Sequence, residues 1–225
     1  NAVRSLCIDT SVVATIALVE DGVTLGQATD PDSRHQAEGL GMLLENVLLS
    51  AGVTAGAGSA NIEQIVVGVG PGPFTALRAG IAFASALGRG LGVRVLGVPS
   101  LDVLGSQAAR EHPGGDVLVL TDAKRREVYF ALYTKEGGTP GVGPQVGKLA
   151  DALKLADASG ARGFFSGVRP PHLLDDLESS SAVDLTLDPA VLATVVQERT
   201  TQNPQASFPL EPLYLRRPDI QGGTA

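Results

Sequence analysis

The sequence has no tryptophan, one cysteine, one methionine and three histidines among its 225 residues. The lone Cys7 excludes an internal disulfide and a cysteine-built zinc site, and it fits a reducing compartment. His35, His112 and His172 lie too far apart to share a helical turn, so the H-x-x-x-H pattern of a metal-dependent hydrolase is missing. No G-x-S-x-G elbow is present, which leaves serine hydrolysis and proteolysis without a sequence signal. Basic charge is in short supply: 17 Lys and Arg against 24 Asp and Glu give a net charge of -7. Such a chain does not hold nucleic acid through a broad basic surface of its own. Long hydrophobic runs are missing too. The most apolar helical stretch, residues 74–87, contains Arg78 and falls short of the roughly 20 residues that a membrane span needs. Residues 1–9 lack the charged start and long apolar centre of a signal peptide. The expectation is a soluble cytoplasmic protein with no membrane attachment.

Core-forming material, by contrast, is plentiful. At 44% hydrophobic and 18% charged residues the chain can bury a sizeable core, and 28 glycines with 14 prolines supply turns without a collagen-like period. Residues 5–8, 14–19 and 23–28 read as an antiparallel meander with Asp21-Gly22 at one turn. Over 36–49 the period changes to that of a helix, with Leu40, Leu43, Leu44, Val47 and Leu48 recurring on one side. A buried strand at 65–69, a helix at 74–87, a strand at 94–98 and a helix at 101–109 complete a βββαβαβα order, which predicts a mixed sheet covered by helices. A shortened second cycle follows. It has strands at 117–121 and 127–133, a loop at 137–143, a helix at 148–158, a strand at 163–166, a helix at 189–198 and a proline-punctuated tail over 204–218. Two α/β lobes result, residues 1–105 and 106–225, with the tail a candidate to return to the first.

Two turns have residues suited to chemistry. Asp9-Thr10-Ser11 ends the first strand with a carboxylate and hydroxyls of the kind that hold a hydrated metal ion and phosphate oxygens. No glycine lies between 10 and 15 to let the backbone close on a phosphate, and a turn whose side chains satisfy their own backbone is the plainer reading. Gly70-Pro71-Gly72-Pro73-Phe74-Thr75 leads from a strand into a helix, where free amides and the positive helix end favour anions. Proline has no N–H, so a rigid lead-in to the helix is favoured over a phosphate grip. Asp9, Thr10, Ser11, Gly70 and Gly72 are therefore candidates for a vestigial nucleotide site.

The helix after that turn is apolar on two sides: Leu77, Ile81 and Ala84 form one stripe, and Ala76, Ala79, Gly80, Phe83 and Leu87 another. A surface helix of a lone domain keeps a polar face, so the second stripe is either buried within the lobe or covered by another chain. Gly41 and Met42, with Glu38 and Glu45 nearby, extend this candidate partner surface onto the preceding helix. Lys124-Arg125-Arg126 and Arg216-Arg217 are small basic clusters; in so acidic a chain a solvated surface is a plainer reading than a nucleic-acid contact.

Five segments, in order over nearly the whole chain, resemble the TsaB/YeaZ family of tRNA threonylcarbamoyladenosine synthesis. They are Ile8-Asp9-Thr10-Ser11, Val69-Gly70-Pro71-Gly72-Pro73-Phe74-Thr75-Ala76-Leu77-Arg78-Ala79-Gly80, Gly97-Val98-Pro99-Ser100-Leu101, the run from Asp122 to Tyr129, and Pro212-Leu213-Tyr214-Leu215-Arg216. The second is the most specific. It is similar to the family's G-P-G-S-F-T-G-L-R-I-G, with Pro73 in place of serine, Ala76 of glycine and Ala79 of isoleucine. The resemblance implies an actin/Hsp70-like (ASKHA) α/β fold of two lobes, each a mixed sheet flanked by helices. It implies a non-catalytic scaffold and activator of the related enzyme TsaD, which transfers threonylcarbamoyl to N6 of adenosine 37 in tRNAs reading ANN codons. TsaE joins as an ATPase. By the same resemblance this chain has no catalytic residue, no metal and no cofactor of its own, any ATP or ADP lying at the interface with TsaD, and it meets tRNA only indirectly. Helices 36–49 and 74–87 would pack on the same helices of TsaD, or on a second copy when TsaD is absent. The alternative is an actin-like kinase or ATPase active on its own, using Asp9 to position a metal ion and the Gly70–Gly72 turn to hold phosphate.

Overall fold

The computed structural model describes residues 3–32, 36–135 and 139–216; the side chains of residues 36–38 lie outside the described ones. Strand β1 (Arg4–Asp9) lies between β2 (Ala14–Glu20), antiparallel to it, and β4 (Gln64–Gly68), parallel to it. Helices cover both of its faces, so Leu6, Cys7 and Ile8 are consecutively apolar and fully buried, with no alternation. Burial pushes the Cys7 thiol up to about 12 and leaves it inert. β3 (Val23–Asp30) and β5 (Arg94–Val98) complete the order β3-β2-β1-β4-β5. Helices α1 (Gln36–Ser50) and α2 (Phe74–Leu91) cover the outer face, where Leu40, Leu44 and Val47 meet Leu6, Ile8 and Ile16. α2 starts directly after Pro73, as the proline lead-in predicts. It runs past residue 87 to a left-handed Gly92, whose N–H closes the last turn on the Gly88 carbonyl.

The second sheet repeats the first. β6 (Val117–Asp122), β7 (Glu127–Tyr133), β8 (Val142–Lys148), β9 (Arg162–Ser166) and β10 (Val183–Asp184) are ordered β10-β9-β6-β7-β8. β6 thus takes the place of β1, β7 of β2 and β9 of β4. Helices α3 (Ser100–Glu111) and α6 (Val191–Gln202) lie between the two sheets, in a core that joins Cys7 and Val66 to Val119 and Phe164. α4 (Leu149–Ser159) and α5 (Leu174–Ser179) cover the far face. The result is five layers, helix and sheet alternating, which is the two-lobed actin-like plan. α3 packs on β6, β7 and α6 and spans residue 105, the expected end of the first lobe.

The second lobe departs from the sequence-based expectation in its weak elements. Residues 142–148 form an edge strand although Gly143, Pro144 and Gly147 lower its strand propensity; an edge tolerates a proline whose missing N–H faces no neighbour. α5 and β10 are too short to show any period.

The tail crosses back to the first lobe. The Gly97 N–H donates to the Phe208 carbonyl at 3.0 Å, and the Leu213 N–H donates to the Val69 carbonyl at 2.8 Å. Tyr214 lies against Phe74 with ring centroids 4.8 Å apart, and Arg78 sits over the same Phe74 ring. Arg216 then reaches the second lobe, donating to the Ala123 carbonyl at 2.9 Å and pairing with Glu127.

Candidate functional site

A cleft of about 780 Å3 opens between the lobes where the carboxyl ends of β1, β6 and β9 face one another. That crevice, outside the carboxyl ends of parallel strands, is where open α/β sheets bind ligands. Its lining is rich in hydroxyls, with Ser11, Thr75, Thr121 and Ser166 among them, and contains Asp9, Asp122 and Asp184. Ser166 is 2% exposed and its Oγ has no hydrogen-bond partner.

The structure brings the five vestigial-site candidates together and shows each of them engaged within the protein. Asp9 is 1% exposed. Its Oδ1 accepts from the Ser11 N–H at 2.8 Å and the Ser11 hydroxyl at 2.6 Å, while Oδ2 accepts from the Ser100 hydroxyl at 2.7 Å. Burial outweighs these three bonds and pushes the Asp9 carboxyl above the usual range. Thr10 donates its hydroxyl to the Ala76 carbonyl at 2.8 Å, in the first turn of α2. The Gly70 N–H is taken by the Ser100 hydroxyl at 3.1 Å. Gly72 rests so closely on the Ser11 backbone that a Cβ there would lie 2.9 Å from its Cα. Pro71 and Pro73 contribute no donor. The turn residues do not make a triphosphate grip: the Asp9 carboxylate and the Ser11 and Gly70 amides are bonded within the protein, Gly72 is closed on Ser11 and the two prolines supply no donor, while the cleft beside them stays open. Ser100, which the sequence pattern of this turn does not point to, is the hinge of the network; its only signal is its place within the Gly97–Leu101 segment. Among the described residues no three His, Cys, Asp or Glu side chains converge where a metal ion would sit, and no helix is long and apolar enough to cross a membrane.

Duplication of the sheets gives the first turn a counterpart. β1 ends at Asp9 and β2 begins at Ala14; β6 ends at Asp122 and β7 begins at Glu127, so both connections span the same length. In the second, Lys124 donates its N–H to Asp122 Oδ1 at 2.8 Å and its ammonium to Oδ2 at 2.6 Å. Lys124, Arg125 and Arg126 all adopt positive φ, a conformation costing on the order of 1–2 kcal/mol for a residue with a Cβ.

The helical surface differs from the sequence expectation in one respect. Gly41, Met42 and Glu45 are exposed on α1, Met42 by 70%, and Leu49 on the same stripe is 61% exposed. Glu38 falls in the part of α1 whose side chains lie outside the described ones. On α2, Ala79, Phe83 and Leu87 are half-buried, but Ala76 and Gly80 are buried and belong to the lobe's interior. A Cβ on Gly80 would come within 2.5 Å of Thr10 Oγ1, so glycine is there to admit the β1–β2 turn, not a partner helix. The outward small residues are Ala82 and Ala86, one helical turn apart and both exposed. His35 and Arg217 lie outside the described residues.

Known proteins match this architecture. The family model "TsaD: tRNA N6-adenosine threonylcarbamoyltransferase" matches residues 30–169. An uncharacterized protein of Mycobacterium tuberculosis is 41% identical over 224 residues, 96% of this chain and 93% of that one. The tRNA threonylcarbamoyladenosine biosynthesis protein TsaB of Escherichia coli K12 is 31% identical over 134 residues, 59% of this chain and 56% of that one. A Pseudomonas aeruginosa crystal structure, described as an uncharacterized protein similar to the peptidase YeaZ, superposes with a TM-score of 0.70 at 26% identity, over 95% of this chain and all of that one (100%). The chain therefore belongs to the TsaB/YeaZ family, within the wider family that the threonylcarbamoyltransferase model describes.

Proposed function

We propose that this chain is a non-catalytic subunit of tRNA threonylcarbamoyladenosine formation, which pairs with TsaD and activates threonylcarbamoyl transfer to N6 of adenosine 37 in tRNAs reading ANN codons. One observation carries the reading: the turn that would position a metal ion and phosphate is occupied by the protein itself, with Asp9 bound by Ser11 and Ser100 and Gly72 closed on Ser11. The face that supports pairing is the outer one of α1 and α2, where Met42, Leu49, Ala82 and Ala86 are exposed. TsaD is the partner for that face, TsaE joins the pair as its ATPase, and a second copy of the chain takes the same face when TsaD is absent. Membership of the TsaB/YeaZ family and the self-filled turn together support this over an independent kinase or ATPase.

The test is co-purification with TsaD and TsaE, then tRNA modification with and without this chain. Modification is expected to require the chain, while calorimetry of the chain alone with Mg-ATP shows no binding heat. Micromolar Mg-ATP binding with turnover in the isolated chain would reverse the assignment.

Asp9 separates the two readings in a second way. Its carboxyl is raised by burial, so its favourable protonated contribution is full at low pH and is lost as pH climbs through the raised folded value. Asn at this position keeps an acceptor for Ser11 and cannot ionise. Asp9→Asn is therefore expected to melt at the same temperature as the parent near pH 4 and progressively higher than it as pH rises from there. Modification by the complex should stay within about twofold of the parent, since no charge at Asp9 is used in the reaction. Loss of activity with an intact fold would assign the carboxylate a catalytic task.

A further inference from the structure

The tip joining β6 to β7 is held in a conformation that its residue types do nothing to ease. Lys124, Arg125 and Arg126 have φ of 61°, 53° and 64°, three consecutive left-handed residues, and all three are exposed. A tip of that shape selects glycine, asparagine or aspartate. Glycine is not scarce in this chain, which has 28. The equivalent connection in the first lobe, residues 10–13, has no residue in the left-handed region. Further cations gather at the tip. Lys148 stands opposite Glu127 on the neighbouring strand, and Arg216 on the returning tail binds the Ala123 carbonyl and Glu127. Lys124, Arg125, Arg126, Lys148 and Arg216 thus share this corner with the two carboxylates Asp122 and Glu127, which pair with Lys124 and Arg216, in a chain whose net charge is -7.

We infer that this tip contacts the phosphodiester backbone of the RNA substrate directly, an inference that rests on the tRNA-modification reading above. Asp122 takes the Lys124 ammonium, yet a corner that had only to turn the chain would be eased by glycine or asparagine, which relax left-handed positions. Retaining the charges despite the strain points to an anionic partner. Lys and Arg on a hairpin tip match a row of phosphates and leave base identity unread, so the contact is indifferent to sequence and sensitive to salt. The inference goes beyond the expectation of indirect contact with tRNA by adding a direct one at this corner.

The experiment is filter binding of unmodified tRNA to the complex of this chain with TsaD, across salt concentrations, with the parent chain and with the double variant R125E/R126E. Affinity is expected to fall about tenfold or more, and the slope of log affinity against log salt to become shallower by about one for each phosphate no longer neutralised. A second variant, Arg126→Gly, removes one charge and relaxes the backbone. It is expected to melt no lower than the parent and still bind RNA about threefold more weakly. Unchanged affinity and slope with TsaD pairing intact would overturn the inference and leave the subunit role standing. Loss of TsaD pairing in R125E/R126E would also overturn it, by making the tip a protein contact. The same titration on the chain alone at low salt keeps the two readings apart: a chain that fails to pair with TsaD but whose RNA affinity still depends on the tip defeats the pairing and not this contact.

Discussion

Met42→Glu is expected to weaken pairing with TsaD on the order of 100-fold while leaving the melting temperature of the isolated chain unchanged. Met42 is 70% exposed on α1, so a carboxylate there is hydrated in the free chain and costs nothing in the fold. In a helix-on-helix contact the same charge must be desolvated without a partner, and burying an unpaired charge is the most expensive change such a surface can suffer. Leu49→Glu, two turns along the same stripe, should act in the same direction, and Leu49→Ala more weakly because it removes area without adding a charge. Gly80→Arg supplies the contrast. Its side chain would start from a Cβ 2.5 Å from Thr10 Oγ1, so it should depress folding and not pairing alone. Size-exclusion chromatography of each variant with TsaD, beside a thermal melt, separates the two effects. Full-strength pairing by Met42→Glu would remove α1 from the interface.

The contrast between Met42 and Gly80 also shows what the sequence could and could not disclose. Elements with strong periods were legible: β1 to β5 and α1 to α3 lie within a few residues of their expected bounds, because runs such as Leu40-Leu43-Leu44-Val47 leave one solution for the buried side. A helix apolar nearly all round has no such solution. In α2 the small residues Ala76, Gly80, Ala82 and Ala86 are equivalent on paper, and only Thr10 packed against Gly80 tells which pair faces inward. The doubtful phosphate site was legible in the lack of glycine over residues 10–15 and in Pro71 and Pro73 of the second turn. What fills it was not, because Ser100 lies 91 positions from Asp9. Weak strands failed for a different reason: β8 is held by its pairing to β7, with no help from Gly143, Pro144 or Gly147.

Asp102→Ala is expected to cause the largest loss of stability among single side-chain changes outside the glycines, about 3–5 kcal/mol, read by urea unfolding. Asp102 is 4% exposed in the first turn of α3, where it pairs with Arg199 of α6 and accepts from the Tyr133 hydroxyl of β7 at 2.5 Å. Three elements of the central layer and second sheet meet at that carboxylate. Burial, with the Asp102 charge beside it, holds the Tyr133 phenol well above its ordinary range, so it remains a donor at every physiological pH. Removing the carboxylate takes this acceptor from a guanidinium and a phenol at once, and the cost of stranding such groups exceeds the bonds themselves. Tyr133→Phe, which strips one neutral donor and leaves the ion pair, should cost only about 1 kcal/mol. For a domain of this size each kcal/mol lowers the melting temperature by roughly 2–4 °C, so the alanine variant should melt on the order of 10 °C below the parent and the phenylalanine variant only a few degrees below. If the two variants were destabilised equally, the guanidinium would not need Asp102, and the joint between α3 and α6 would rest on apolar packing alone.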